Sequence, residues 1–87
     1  MNAHMREYEQ DLSARLEMLF RRCPALCGFT VQADGAMPSH VTCNSVQSQE
    51  QAEALFGEVA EMLLEFVDEC PEGAEFLQGR TFARTVH

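Results

Sequence analysis

Residues 48–70 read SQEQAEALFGEVAEMLLEFVDEC, and their apolar side chains recur every three or four positions. That spacing is the period of an α-helix, so it predicts a long helix over about residues 48–70. The first four residues, SQEQ, fit a capping box that starts at Ser48. Pro71 cannot continue the backbone ladder, so the helix is predicted to stop at Cys70.

The apolar part of this helix is unusually wide. At about 100° per residue it spans roughly 200° of arc, about twice the stripe that a surface helix needs. Packing on one hairpin and one other helix would leave part of it uncovered. Either a short helix carrying Phe76 and Leu77 folds back over this part, or a second copy of the chain covers it. We favour a homodimer, because a two-stranded sheet alone is marginal in water. The predicted interface consists of Phe56, Ala60, Leu64, Val67 and Phe76.

The sequence before the long helix predicts a helix and a β-hairpin. Apolar residues at a spacing of three or four predict a first helix over about residues 5–22, which Pro24 ends. Residues 29–34 and 40–44 alternate between apolar and polar side chains, and turn-forming residues separate them. The alternation predicts an antiparallel hairpin. Its apolar face consists of Phe29, Val31, Ala33, Val41 and Cys43.

The remaining residues complete a small α+β domain. A short helix is predicted over residues 72–78, and residues 80–87 are predicted to form an edge strand or to lie along the surface. Eighty-seven residues make one domain, 1–87, in the order helix, hairpin, long helix, short helix. We expect two layers, with both long helices on one face of the hairpin.

The charge is concentrated in one part of the chain. The net charge is −8, and residues 50–75 contain nine acidic residues and no basic residue. Phosphate backbones and anionic membranes would repel such a surface, so we expect neither nucleic-acid nor membrane binding. A basic or apolar protein partner is the better match. Arg80 and Arg84 could also fold against the acidic helix face. The chain has no lysine, which excludes a Schiff-base lysine and a phosphate-loop lysine.

Cys23 and Cys27 form the one pair of closely spaced cysteines. Zinc sites use such spacings, so a thiol- or metal-handling role is one alternative. The other two cysteines, Cys43 and Cys70, lie far away in sequence, and no histidine pair completes a ligand set. Buried free cysteine usually acts as a small apolar side chain, and Cys23 falls on the apolar stripe of the first helix. We therefore expect no cofactor and no metal, and keep this pair as the alternative.

His40 carries the second alternative, a small ligand-binding module or enzyme. It is predicted on the polar face of the hairpin beside Thr42 and Asn44. A histidine can act as a general acid or base, but the sequence fixes no nucleophile or carboxylate next to it. The sequence contains no recognised catalytic or phosphate-binding motif. A solvated surface histidine is the simpler interpretation.

These observations favour a protein that works by contact. No secretory signal and no membrane span are visible, so we expect a cytoplasmic protein with reduced cysteines. The preferred hypothesis is a non-enzymatic homodimeric adaptor, or an accessory protein resembling a chaperone in its action, that binds a protein partner.

Overall fold

The structure is a computed structural model that describes the backbone of residues 3–84 and the side chains of residues 7–84. Its architecture is α+β, and the predicted order of elements is confirmed. A third strand near the C-terminus joins the predicted hairpin, as the edge-strand alternative for the tail expected. Thr85 and Val86, which were included in that prediction, lie outside the described residues. The elements are α1 (Ala3–Arg22), β1 (Leu26–Val31), β2 (Pro38–Cys43), α2 (Gln49–Glu69), a 3₁₀ turn (Pro71–Gly73), α3 (Ala74–Leu77) and β3 (Thr81–Ala83).

The boundaries of the long helices follow from their caps. The hydroxyl of Ser48 accepts a hydrogen bond of 3.1 Å from the N–H of Gln51, as the capping-box pattern predicts. The amide oxygen of Gln51 accepts in return from the N–H of Gln47, one residue outside the expected position. At the other end, the N–H of Cys70 donates to Phe66, and the helix stops before proline.

The sheet is antiparallel in the order β2-β1-β3, so β1 is its central strand. The first strand was predicted at residues 29–34, but it begins at Leu26 and ends at Val31. An irregularity between Leu26 and Gly28 makes Cys27 an extra residue, as in a β-bulge. Both Leu26 and Phe29 can therefore turn toward the core, where each is at most 1% exposed. The prediction that Ala33 lies on the apolar face is wrong, because it lies exposed in the turn after the strand.

Two helices cover one face of the sheet. α1 and α2 run antiparallel, as the ion pairs Arg22–Glu58 and Arg15–Glu69 show at two levels along them. The opposite face of the sheet carries polar, solvent-exposed side chains such as His40. The core between the two layers includes Leu19, Leu26, Phe29, Val59, Leu63, Phe66 and Leu77, all at most 1% exposed.

The C-terminal elements close one end of this core. Leu77 is fully buried, and Gly73 lies so close to Phe66 that a Cβ at position 73 would be 2.8 Å from the ring. The short helix therefore folds back against the end of α2. It does not cover Phe56 and Leu64, which remain 39% and 54% exposed. Of the two explanations for the wide apolar arc, folding back of the short helix is wrong for these two side chains.

Candidate functional site

An apolar stripe runs along one flank of α2, with two exposed side chains and a half-buried alanine between them. It consists of Phe56, Ala60 and Leu64, spaced one helical turn apart, and is called the α2 stripe below. Val67 and Phe76, predicted for the same interface, are half-buried against the core instead. The guanidinium of Arg80 lies 4.4 Å from the centre of the Phe76 ring and covers it.

The α2 stripe points away from α1. Glu58 and Glu69 contact α1 from one flank of the buried face of α2. Ala60, the centre of the stripe, lies roughly 160° away from Glu58 around the axis of α2. α2 packs against β2, whereas α1 is tied to the residue after β3 through Arg84. The stripe therefore overhangs the outer edge of β2. No strand among residues 3–84 pairs with that edge.

Six of the seven acidic residues of α2 form two groups, and the seventh, Glu53, accepts a hydrogen bond from Gln49. Glu58 and Glu69 pair with arginines of α1. The second group is exposed and has no ion pair within the described part of the chain. It is called the acidic face and consists of Glu50, Glu61, Glu65 and Asp68.

The two C-terminal arginines do not fold against the acidic face. Arg80 stacks over the rings of Phe76 and Phe82. Arg84 donates to main-chain carbonyls at the end of α1, including those of Phe20 and Cys23 at 2.8 and 2.9 Å. The last turn of a helix leaves its carbonyls without helical partners, and a cation there also suits the helix dipole.

The cysteines do not form a ligand set. Cys23 is 6% exposed, and burial raises the pKa of its thiol, with a smaller contribution from nearby Glu58. Cys27 lies in β1 between Leu26, which pairs with Cys43, and Gly28, which pairs with Thr42. Within the described residues, no group of three or more histidine, cysteine or acidic side chains could hold a metal ion.

His40 lies on the exposed face of the sheet, opposite Thr30 on the neighbouring strand. Within the described residues, its imidazole makes no side-chain hydrogen bond. A groove of about 610 Å³ lies elsewhere, between α1 and the end of β3. Its polar groups are largely engaged, because Glu17 pairs with Arg21 and Arg84 binds carbonyls. Ser13 also lines this groove, and within the described residues no hydrogen bond joins its hydroxyl to Glu17.

Comparison of the chain with protein-family models, curated proteins and solved structures gives no match. No helix within residues 3–84 combines the length and apolar character needed to span a bilayer. Among the described residues, Phe56 and Leu64 of the α2 stripe are two of the four large apolar side chains that remain exposed, with Met18 and Met37. The sequence indicated the stripe through the width of the apolar arc, but it gave no signal for the carbonyl-binding role of Arg84.

Proposed function

We propose that this protein is a non-enzymatic, cytoplasmic contact protein that forms a homodimer through the α2 stripe and binds a protein partner. One observation carries the proposal: the core is closed without Phe56 and Leu64. Leu63 and Phe66 on the same helix are fully buried. The exposure of Phe56 and Leu64 is therefore not a requirement of folding, and a contact with another polypeptide accounts for it.

The stripe suits a symmetric helix pair. Phe56 and Leu64 lie four residues on either side of Ala60. A two-fold axis near Ala60 would place Phe56 of one copy near Leu64 of the other, which is the self-complementarity that a symmetric dimer requires. Gly57 lies beside the stripe with nothing within 4 Å of an added Cβ. Two helices could approach closely at this small residue.

The acidic face indicates the chemistry of the partner. Its carboxylates stand in solvent without ion pairs among the described residues. A dimer built through the stripe would carry two such faces. Charges of one sign speed association with a partner of the opposite sign and select against like-charged partners. The role proposed is that of an adaptor, or of an accessory protein that shields a basic surface on its partner.

The substitution Leu64→Asp tests the dimer. A charge in the middle of a helix pair would be desolvated, so we expect a folded monomer with the helical content of the wild type. Met18→Asp is the matched control, because Met18 is 63% exposed on α1, outside the stripe. Sedimentation equilibrium gives the mass of each variant, and circular dichroism gives its fold. A wild-type monomer, or a Leu64→Asp dimer, would overturn the proposed interface.

Native mass spectrometry of protein purified gently from its own host tests the proposed binding of a protein partner. A metal-free dimer with a second protein attached supports the proposal. A monomer carrying zinc would contradict it and favour the thiol alternative at Cys23 and Cys27. Neutralising Glu61 and Glu65 to glutamine should release a basic partner while leaving the dimer mass unchanged.

A further inference from the structure

Within residues 3–84, the outer edge of β2 is an unpaired strand edge. β2 pairs with β1 on one side, and the described residues place no strand on the other. Natural sheets usually protect such edges with charged side chains, proline or a covering element. The sequence of β2, PSHVTC, contains no lysine, arginine or acidic residue. Pro38 lacks an N–H, but it stands at the first position and protects one end.

The alternation of the sheet shows which backbone groups this edge presents. Val31 on β1 donates its N–H to the β3 side. In a strand, the N–H and C=O groups of successive residues point to opposite sides, so those of the preceding residue, Thr30, point toward its β2 partner His40. One residue further along β2, the N–H and C=O of Val41 point away from β1. Those of Cys43 point the same way, because the pattern has a period of two.

The edge and the α2 stripe lie on the same side of the molecule. α2 packs against β2, and the stripe is on the flank of α2 that faces away from α1. Exposed Met37 directly precedes β2 in the chain. A partner that approaches this side meets backbone hydrogen-bonding groups on β2 and apolar side chains on α2.

The α2 stripe alone is too small for a stable dimer, so the outer edge of β2 must also be buried. Phe56 is 39% exposed, and the stripe as a whole offers on the order of 200 Å² of side-chain surface. Each partner in a stable complex buries roughly 800 Å². The stripe alone is too small for this, whereas a second strand along β2 and the helix above it would supply the difference.

We infer that two copies of this chain pair through β2, forming one six-stranded antiparallel sheet on which the two α2 stripes pack against each other. This inference rests on the proposed homodimer and specifies its geometry. A two-fold axis perpendicular to the sheet makes both the β2 strands and the α2 helices antiparallel. One second copy therefore completes both features, whereas an extended peptide would supply only a strand and a foreign helix would supply only an apolar face.

Amide hydrogen exchange measured at several protein concentrations tests this geometry on the wild-type chain. The N–H groups of Val41 and Cys43 should exchange about tenfold or more slowly where the dimer dominates, and speed up on dilution. His40 and Thr42 direct their N–H groups toward β1 and are the internal control. Their exchange should not follow the monomer–dimer equilibrium.

The outcomes separate the two proposals. A dimer in which Val41 and Cys43 still exchange rapidly would overturn strand pairing and leave the stripe-mediated homodimer intact. A monomer at every concentration would overturn both.

In a second measurement, Val41→Pro removes the backbone N–H that points outward from β2, so it should weaken the dimer at least tenfold if the strands pair. Circular dichroism checks that this variant folds, and an unchanged dimer in a folded variant would contradict the inference.

Discussion

Arg84 is joined to Phe20 in the last turn of α1: its Nη2 donates a hydrogen bond of 2.8 Å to the main-chain carbonyl of Phe20. The same guanidinium lies 5.1 Å from the centre of the Phe20 ring. It also binds the carbonyls of Cys23 and Leu26. These contacts close the end of α1 and fix the start of β1, so one C-terminal side chain joins the helix to the sheet.

We expect Arg84→Ala to destabilise the fold by about 1–3 kcal/mol, because hydrogen bonds from a charged donor are lost at part-buried carbonyls such as that of Phe20. Arg84→Lys should recover part of this loss, since an ammonium lacks the planar fork that reaches several carbonyls. Urea unfolding measures both values. Arg21→Ala is the control, because its pair with Glu17 is exposed and should contribute about 0–1 kcal/mol. An Arg84→Ala loss no larger than this control would contradict the capping role.

The parts of the fold that the sequence could predict are those governed by local rules. The spacing of apolar residues gave both long helices, and Ser48 and Pro71 gave the ends of the second. The wide apolar arc indicated surface that one chain does not cover, and Phe56 and Leu64 are indeed exposed. These features depend on residues near each other in sequence, so the local sequence pattern is enough to predict them.

The predictions that failed concern features that depend on contacts between residues far apart in sequence. The early start of β1 needs Cys27 as an extra residue, and its register is set by pairing with β2. A strict alternation of apolar residues gives no sign of such an irregularity. Likewise, the sequence allowed Arg84 to fold against the acidic residues of α2, because charge alone cannot show that unpaired helix carbonyls lie closer. The partly core-facing positions of Val67 and Phe76 depend on where the C-terminal elements pack.

Two Gly→Ala substitutions should have opposite effects on stability. A Cβ at Gly28 would lie 2.6 Å from the carbonyl oxygen of Phe82, so Gly28→Ala must push β3 away and should cost about 1–3 kcal/mol. Gly57 lies in α2 with open space around it, and Gly57→Ala should stabilise the helix by about 1 kcal/mol. Thermal unfolding measures both. Equal effects of the two substitutions would show that β3 does not constrain position 28.

The buried thiol of Cys23 should make stability depend on pH in the alkaline range. Burial raises its pKa above the ordinary value of 9.0, so the folded chain keeps a proton that the unfolded chain loses first. This contribution is fully present below pH 9.0 and is lost as pH rises through the folded-state pKa. Urea unfolding at alkaline pH should therefore show a falling free energy of unfolding. Cys23→Ala should flatten this fall, and an unchanged slope would assign it to other groups.

Accessibility should set the order in which the cysteines are alkylated. Cys23 is 6% exposed and its thiol is held in the protonated form, which reacts slowly because the thiolate is the nucleophile. Iodoacetamide at neutral pH should therefore modify half-buried Cys27 before Cys23. Peptide mass analysis at successive times gives the order. In urea the difference should disappear, and faster modification of Cys23 in the folded chain would contradict its buried position.

The proposed homodimer should become stronger as salt is added. Each chain carries a net charge of −8, and α2 contains no basic residue that could offset the acidic face across a symmetric helix pair. Raising ionic strength from about 0.05 M to about 0.5 M shortens the range of this repulsion, so we expect the dimer dissociation constant to fall roughly three- to tenfold. Sedimentation equilibrium at each salt concentration gives the constant. Replacing Glu61 and Glu65 by glutamine should reduce this dependence. A dimer that weakens with salt would instead indicate attraction between opposite charges, which two copies of α2 cannot provide.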